Sequence, residues 1–130
     1  YLRQSERTLF MLLRVLMLQP LGSDILILPA QFGIRHRGKS VRRAREVFVS
    51  SEYGSGAKDV CTMLLTNPIR LQHYDDLWID CAGDEFAPDA DGDFNDAPYF
   101  SFHDGEVRFN TSWVSDATAD YGSASCFLPQ

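Results

Sequence analysis

Residues 98–110, PYFSFHDGEVRFN, leave the chain little conformational choice. The pair Asp104-Gly105 suits a two-residue type I′ turn, in which both central positions take positive φ. That turn sets His103 opposite Glu106, Phe102 opposite Val107, Ser101 opposite Arg108 and Phe100 opposite Phe109. In this register one face is apolar and the other polar, so turn chemistry and side-chain period agree. A β-hairpin is expected here, with Phe100, Phe102, Val107 and Phe109 turned together into the core. His103 and Glu106 read as an ordinary surface pair.

Ahead of the hairpin, LWIDCA (77–82) also alternates, with Leu77, Ile79 and Cys81 on one face and Trp78, Asp80 and Ala82 on the other. Before residue 77 the apolar spacing is helical. Residues 4–19 read as a core helix capped by Ser5 and stopped at Gln19-Pro20. It carries two apolar stripes, Leu9/Leu12/Leu13/Leu16 and Met11/Val15/Leu18. DILILPA reads as a strand or extended segment, and QFGIRHRG as a loop. Ser40 caps a short helix, VRRAREVF, that buries Val41, Ala44, Val47 and Phe48, leaves Arg42 and Arg45 outside and lets Glu46 pair with Arg42. SEYGSG is a loop. Ser55 then caps a helix over 56–66, with Ala57, Val60, Cys61 and Leu64 inward, ended by Asn67-Pro68. GDEFAPDADGDFNDA is a loop, SDATADYGSAS is turn-rich with one helical turn, and SCFLPQ adds a last strand.

The change of period near residue 77 gives an α+β fold: two or three N-terminal helices packed on a small, mostly antiparallel C-terminal sheet containing the hairpin at 98–110. A length of 130 residues suits a single domain, 1–130. The run LFMLLRVLML is too short to span a bilayer and Arg14 interrupts it, so no transmembrane segment is expected. Cys61, Cys81 and Cys126 lie far apart and form no Cys-x-x-Cys pair, which fits buried reduced thiols and a cytoplasmic location.

Charge divides the chain. Residues 1–58 carry ten Lys/Arg and four Asp/Glu, whereas 59–130 carry two and fourteen. RHRGKSVRRAR gathers Arg35, Arg37, Lys39, Arg42, Arg43 and Arg45 just before and within a helix start. That arrangement suits a polyanion or an acidic partner surface. Nucleic acid is therefore one partner class through 35–45, and a protein partner or self-association is the other. The Gly spacing of a phosphate-binding loop is missing.

The acidic half centres on nine acids between Asp75 and Asp96, with no Lys or Arg among them. PDADGDFNDAPYF opens like a calcium loop, with Asp89, Asp91 and Asp93 at the first ligand positions and Asp96 following. Phe94 stands where the turn needs Gly, and Phe100 where a bidentate Glu is needed, so this is no EF-hand. No cofactor is expected. Should the loop hold a metal, Ca²⁺ or Mg²⁺ suits its oxygen donors. His73, Asp80, Asp84 and Glu85 are the catalytic candidates, for a metal-dependent hydrolase of the phosphoester type using the acidic cluster 75–96. The leading expectation is a non-catalytic binding or interaction protein, with a basic N-terminal segment and an acidic C-terminal half.

Overall fold

The computed structural model describes residues 1–18, 25, 27–90 and 92–129. The expected helix stop at Gln19-Pro20, much of DILILPA and the ligand candidate Asp91 lie outside the described residues. The architecture is α+β, as expected. The strands are β1 (Leu2–Gln4), β2 (Ala30–Gln31), β3 (Glu52–Gly54), β4 (Trp78–Asp80), β5 (Asp84–Phe86), β6 (Asp96–His103), β7 (Glu106–Trp113), β8 (Tyr121–Ser123) and β9 (Ser125–Phe127). The helices are α1 (Glu6–Leu18), α2 (Val41–Val47) and α3 (Ala57–Thr66), with 3₁₀ turns at Ile34–His36 and Pro68–Arg70.

The hairpin forms in the expected register, from Phe100↔Phe109 to His103↔Glu106. Asp104 and Gly105 take φ of 52° and 79°, as the turn demands. β7 occupies one edge of β6 over its whole length. β5 and β4 share the other edge, at Asp96 and at Tyr99–Phe100. β1 extends the sheet beyond β5, and β8 runs parallel to β4, the one parallel pairing among the described strands. β9 holds β2 and β3 antiparallel on its two sides to make a second, three-stranded sheet.

Alternation sends Ile79, Cys81 and Phe100 to one face, where Val60 and Leu64 of α3 cover them. Ala82 and Ala97 point to the opposite face, under Val41 and Ala44 of α2. α2 and α3 therefore sandwich the larger sheet, while Met11 and Val15 of α1 pack with Tyr53, Cys126 and Leu128 at the smaller one.

Several expectations are corrected. Val107 and Phe109 share the hairpin's apolar side but are about half exposed, because β7 is an edge strand and a hollow of about 410 Å³ separates its tip from α3. α1 is a core helix on one side only: Met11 and Val15 are buried, whereas Leu9, Leu13, Leu16 and Leu18 face outward. The first strand takes Gln4, so the helix begins at Glu6, with the Ser5 hydroxyl accepting from the Thr8 N–H. Ser40 caps α2 as expected, but Arg43, not Arg42, pairs with Glu46. Ser55 does not cap α3; it is buried beside Cys126, and the Asp84 carboxylate accepts the Ala57 N–H at 2.7 Å instead. Cys61 is exposed, while Cys81 and Cys126 are buried, and all three are free. The segments expected as loops hold β3, β5 and Gln31 of β2, and β8 lies within the segment expected to be turn-rich.

Candidate functional site

Strand register builds the site. Asp80 pairs with Tyr99 on one side and Ser123 on the other, and Trp78 pairs with Tyr121. Side chains of paired residues share a face. Ile79 and Phe100 go to the α3 side, so Trp78, Asp80, Tyr99 and Tyr121 emerge on the α2 side. At this end of the sheet the rings meet one another. Trp78 lies near-parallel to Tyr121 at 5.0 Å and to Tyr99 at 5.9 Å, and Tyr99 is 5.4 Å from Tyr121. His103 and Tyr74 approach Trp78 edge-on at 4.9 and 6.0 Å. The Trp78 indole N–H donates to the Tyr74 carbonyl, which fixes the loop against the strand.

The rings are half-buried or exposed, not sealed in a core. A hollow of about 230 Å³ opens between Tyr74, Trp78 and Tyr121, with Asp75, Asp76, Thr118 and Asp120 around it. Asp76 closes the turn that carries Tyr74, since its carboxylate accepts the Gln72 and His73 N–H groups; these bonds hold it below the usual carboxylate range. Behind the rings lies Asp80, only 4% exposed. Burial, and then the charge of Asp116, push its pKa up to about 7. The buried Ser123 hydroxyl beside it is unpartnered among the described residues. Burial, Tyr99 and the charges of Asp80 and Asp116 push the Tyr121 phenol up to about 12.

The four catalytic candidates do not converge. Asp80 sits under the rings, and His73 is exposed in the preceding loop. Asp84 caps α3, and burial raises its pKa despite the Ala57 N–H. Glu85 is tied to Arg3 at 2.9 Å on the opposite flank of β5 from the rings' loop. Of the metal candidates, Asp89 and Asp93 are exposed in the β5–β6 loop and Asp96 begins β6. Phe94 of that loop lies under the Arg3 guanidinium, 3.6 Å away. Among the described residues no three His, Cys, Asp or Glu side chains come together in a way that could hold a metal ion.

The basic segment is largely committed within the fold. Arg35 lies 3.3 Å from the buried Glu52, and Arg37 donates to the Ala119 carbonyl. Arg43 pairs with Glu46. Arg45, expected outside, is part-buried and donates to the Ala82 and Asp84 carbonyls, because α2 lies flat on the sheet and its last turn reaches the β4–β5 connection. Of the six, only Lys39 and Arg42 make no side-chain hydrogen bond or ion pair among the described residues.

The aromatic cluster was missed from sequence, although its signal is present: Tyr99 and His103 fall on the polar side of the hairpin, and Trp78 falls with Asp80. Bulky rings in phase with polar residues mark a face that is not core. Compared with protein families, curated proteins and solved structures, the chain matches none.

Proposed function

We propose that the protein is a non-catalytic binding module that meets a protein partner with the face built from Tyr74, Trp78, Tyr99, His103 and Tyr121. The observation that carries this is the gathering of five rings at one end of the sheet, over an open hollow and outside the core clusters. Aromatic side chains give large contact area for little lost rotamer freedom, and they dominate the energetic centres of interfaces. The acidic rim favours a basic partner and speeds its encounter. Self-association through this face is disfavoured, since two copies would bring like charges together. The protein's own arginines at 35–45 are mostly engaged already.

The test is a Tyr74→Ala/His103→Ala double variant. Both side chains contribute ring contacts only, so the melting temperature should stay within a few degrees. A protein retained from native cell extract by the parent on resin, and lost by the variant, supports the proposal. Equal retention by a folded variant sinks it.

A further inference from the structure

We infer that the hollow between Tyr74, Trp78 and Tyr121 takes the guanidinium of an arginine side chain presented by a basic partner segment. This rests on the binding-face proposal and names the chemistry that the face recognises.

Four features converge on a cation. First, the ring faces carry negative quadrupole, and a cation within about 6 Å of a ring centroid is attracted to it. Second, Asp75 and Asp120 stand at the rim, and neither makes an ion pair among the described residues. Third, the nearby arginines already have partners. Arg70 donates to the Leu77 and Phe32 carbonyls, and Arg37 to Ala119, so neither points its hydrogen bonds into the hollow. Fourth, the charge of Asp116 is felt at the Tyr121 hydroxyl, so the negative field reaches the wall itself.

The shape selects guanidinium over ammonium. A guanidinium is planar, weakly hydrated, stacks on aromatic faces and pairs bidentately with carboxylates. Trp78 and Tyr121, stacked on each other at 5.0 Å, wall the hollow together with Tyr74, and Asp75 and Asp120 offer the carboxylates. A volume of about 230 Å³ suits one side chain rather than a strand or helix. A polyanion would meet the same carboxylates as repulsion.

The probe is acetyl-Gly-Arg-Gly-amide, followed by Trp78 emission in a Trp113→Phe background. Trp113 is well exposed, so that change leaves the fold intact. Saturable binding near about 1 mM is expected for one anchoring side chain. The isosteric but neutral citrulline probe should bind at least about ten-fold more weakly, a difference of about 1.4 kcal/mol. Asp75→Asn/Asp120→Asn should weaken the arginine probe by a similar factor and leave the melting temperature in place. Equal binding of the citrulline probe overturns the cation inference while leaving the aromatic face standing as a binding surface. Equal binding of acetyl-Gly-Lys-Gly-amide, the same probe with Lys in place of Arg, overturns the choice of guanidinium. No response to the arginine probe, or a response unchanged in the Asn double variant, overturns the inference outright. Arginine binding by a protein whose partner retention survives Tyr74→Ala/His103→Ala would separate the hollow from the wider face.

Discussion

The Nε2 atom of His36 lies 2.7 Å from Oε2 of Glu52, and both side chains are buried. The same oxygen accepts from the Ser125 hydroxyl at 2.6 Å, while the other accepts the Val49 N–H. Burial alone would push the Glu52 carboxyl up. The bonds from Ser125, His36 and Val49, with the His36 charge, outweigh it and hold the carboxyl below its usual range. A carboxylate with a depressed folded pKa contributes stability above its unfolded value of about 4.3, lost as pH falls through the lower folded value. Urea midpoints from pH 6 down to 3 should therefore fall. Glu52→Gln should flatten that part of the profile and cost about 1 to 3 kcal/mol at pH 7. A mutant profile with the parent's acid slope would show that other groups set it.

Asp80 has the opposite sign. Its folded pKa, about 7, lies above the unfolded value of about 3.9. Between those values the folded state holds a proton that the unfolded state has released, so stability declines as pH rises from about 4 to 7 and then levels off. At about 1.4 kcal/mol per pKa unit, the penalty above pH 7 is of the order of 4 kcal/mol. Asp80→Asn should raise the denaturant midpoint at pH 8 and change it little at pH 4. An equal effect at both pH values would rule out this titration.

The two ends of the Phe100–Phe109 pair should differ in weight. Phe100 is 8% exposed and contacts Ile79, so Phe100→Ala should cost about 3 to 5 kcal/mol. Phe109 is 52% exposed, and Phe109→Ala should cost about 1 kcal/mol. Comparable losses in chemical denaturation would mean that β7 is covered in solution.

The cap on α3 comes from a strand far along the chain. Asp84→Ala should cost about 0.5 to 2 kcal/mol and expose the Ala57 amide to hydrogen exchange. Ser55→Ala should leave that amide protected. Loss of protection in Ser55→Ala would return the cap to the local serine.

How much of this could be read beforehand depended on whether two local signals agreed. The hairpin was legible because the Asp-Gly turn and the alternation enforce one register. Alternation says which side chains share a face, not how far the covering helix reaches, and so Val107 and Phe109 were placed too deep. α1 has two apolar stripes, and nothing local decides between them; Met11 and Val15 are chosen by Tyr53, Cys126 and Leu128, remote in sequence. β1, β3, β5 and β8 are three residues long, too short to show a period. The Asp84 cap and the bonds of Arg45 join α3 and α2 to the β4–β5 region, a link absent from either segment alone. Of the candidate site, only the pairing of Asp80 with Trp78 on one face was visible, because the rings come from four separate segments.

Ala124 alone separates β8 of the larger sheet from β9 of the smaller one; its N–H donates to the Asp80 carbonyl and its carbonyl accepts from Ser55. Among the described strands β2 and β3 are joined only through β9, and β8 supplies one wall of the aromatic face. During synthesis on the ribosome, β1, β4, β5, β6 and β7 can pair first, but the smaller sheet and the complete ring cluster must wait until residues 121–127 have emerged. Until then β4 presents an unpaired edge, and about 90 residues of chain must stay soluble between Gln31 and its partner Ser125. A stretch of seven residues thus times the closing of the smaller sheet and the covering of the β4 edge, and slow or interrupted translation just before it leaves that edge open to aggregation and proteolysis.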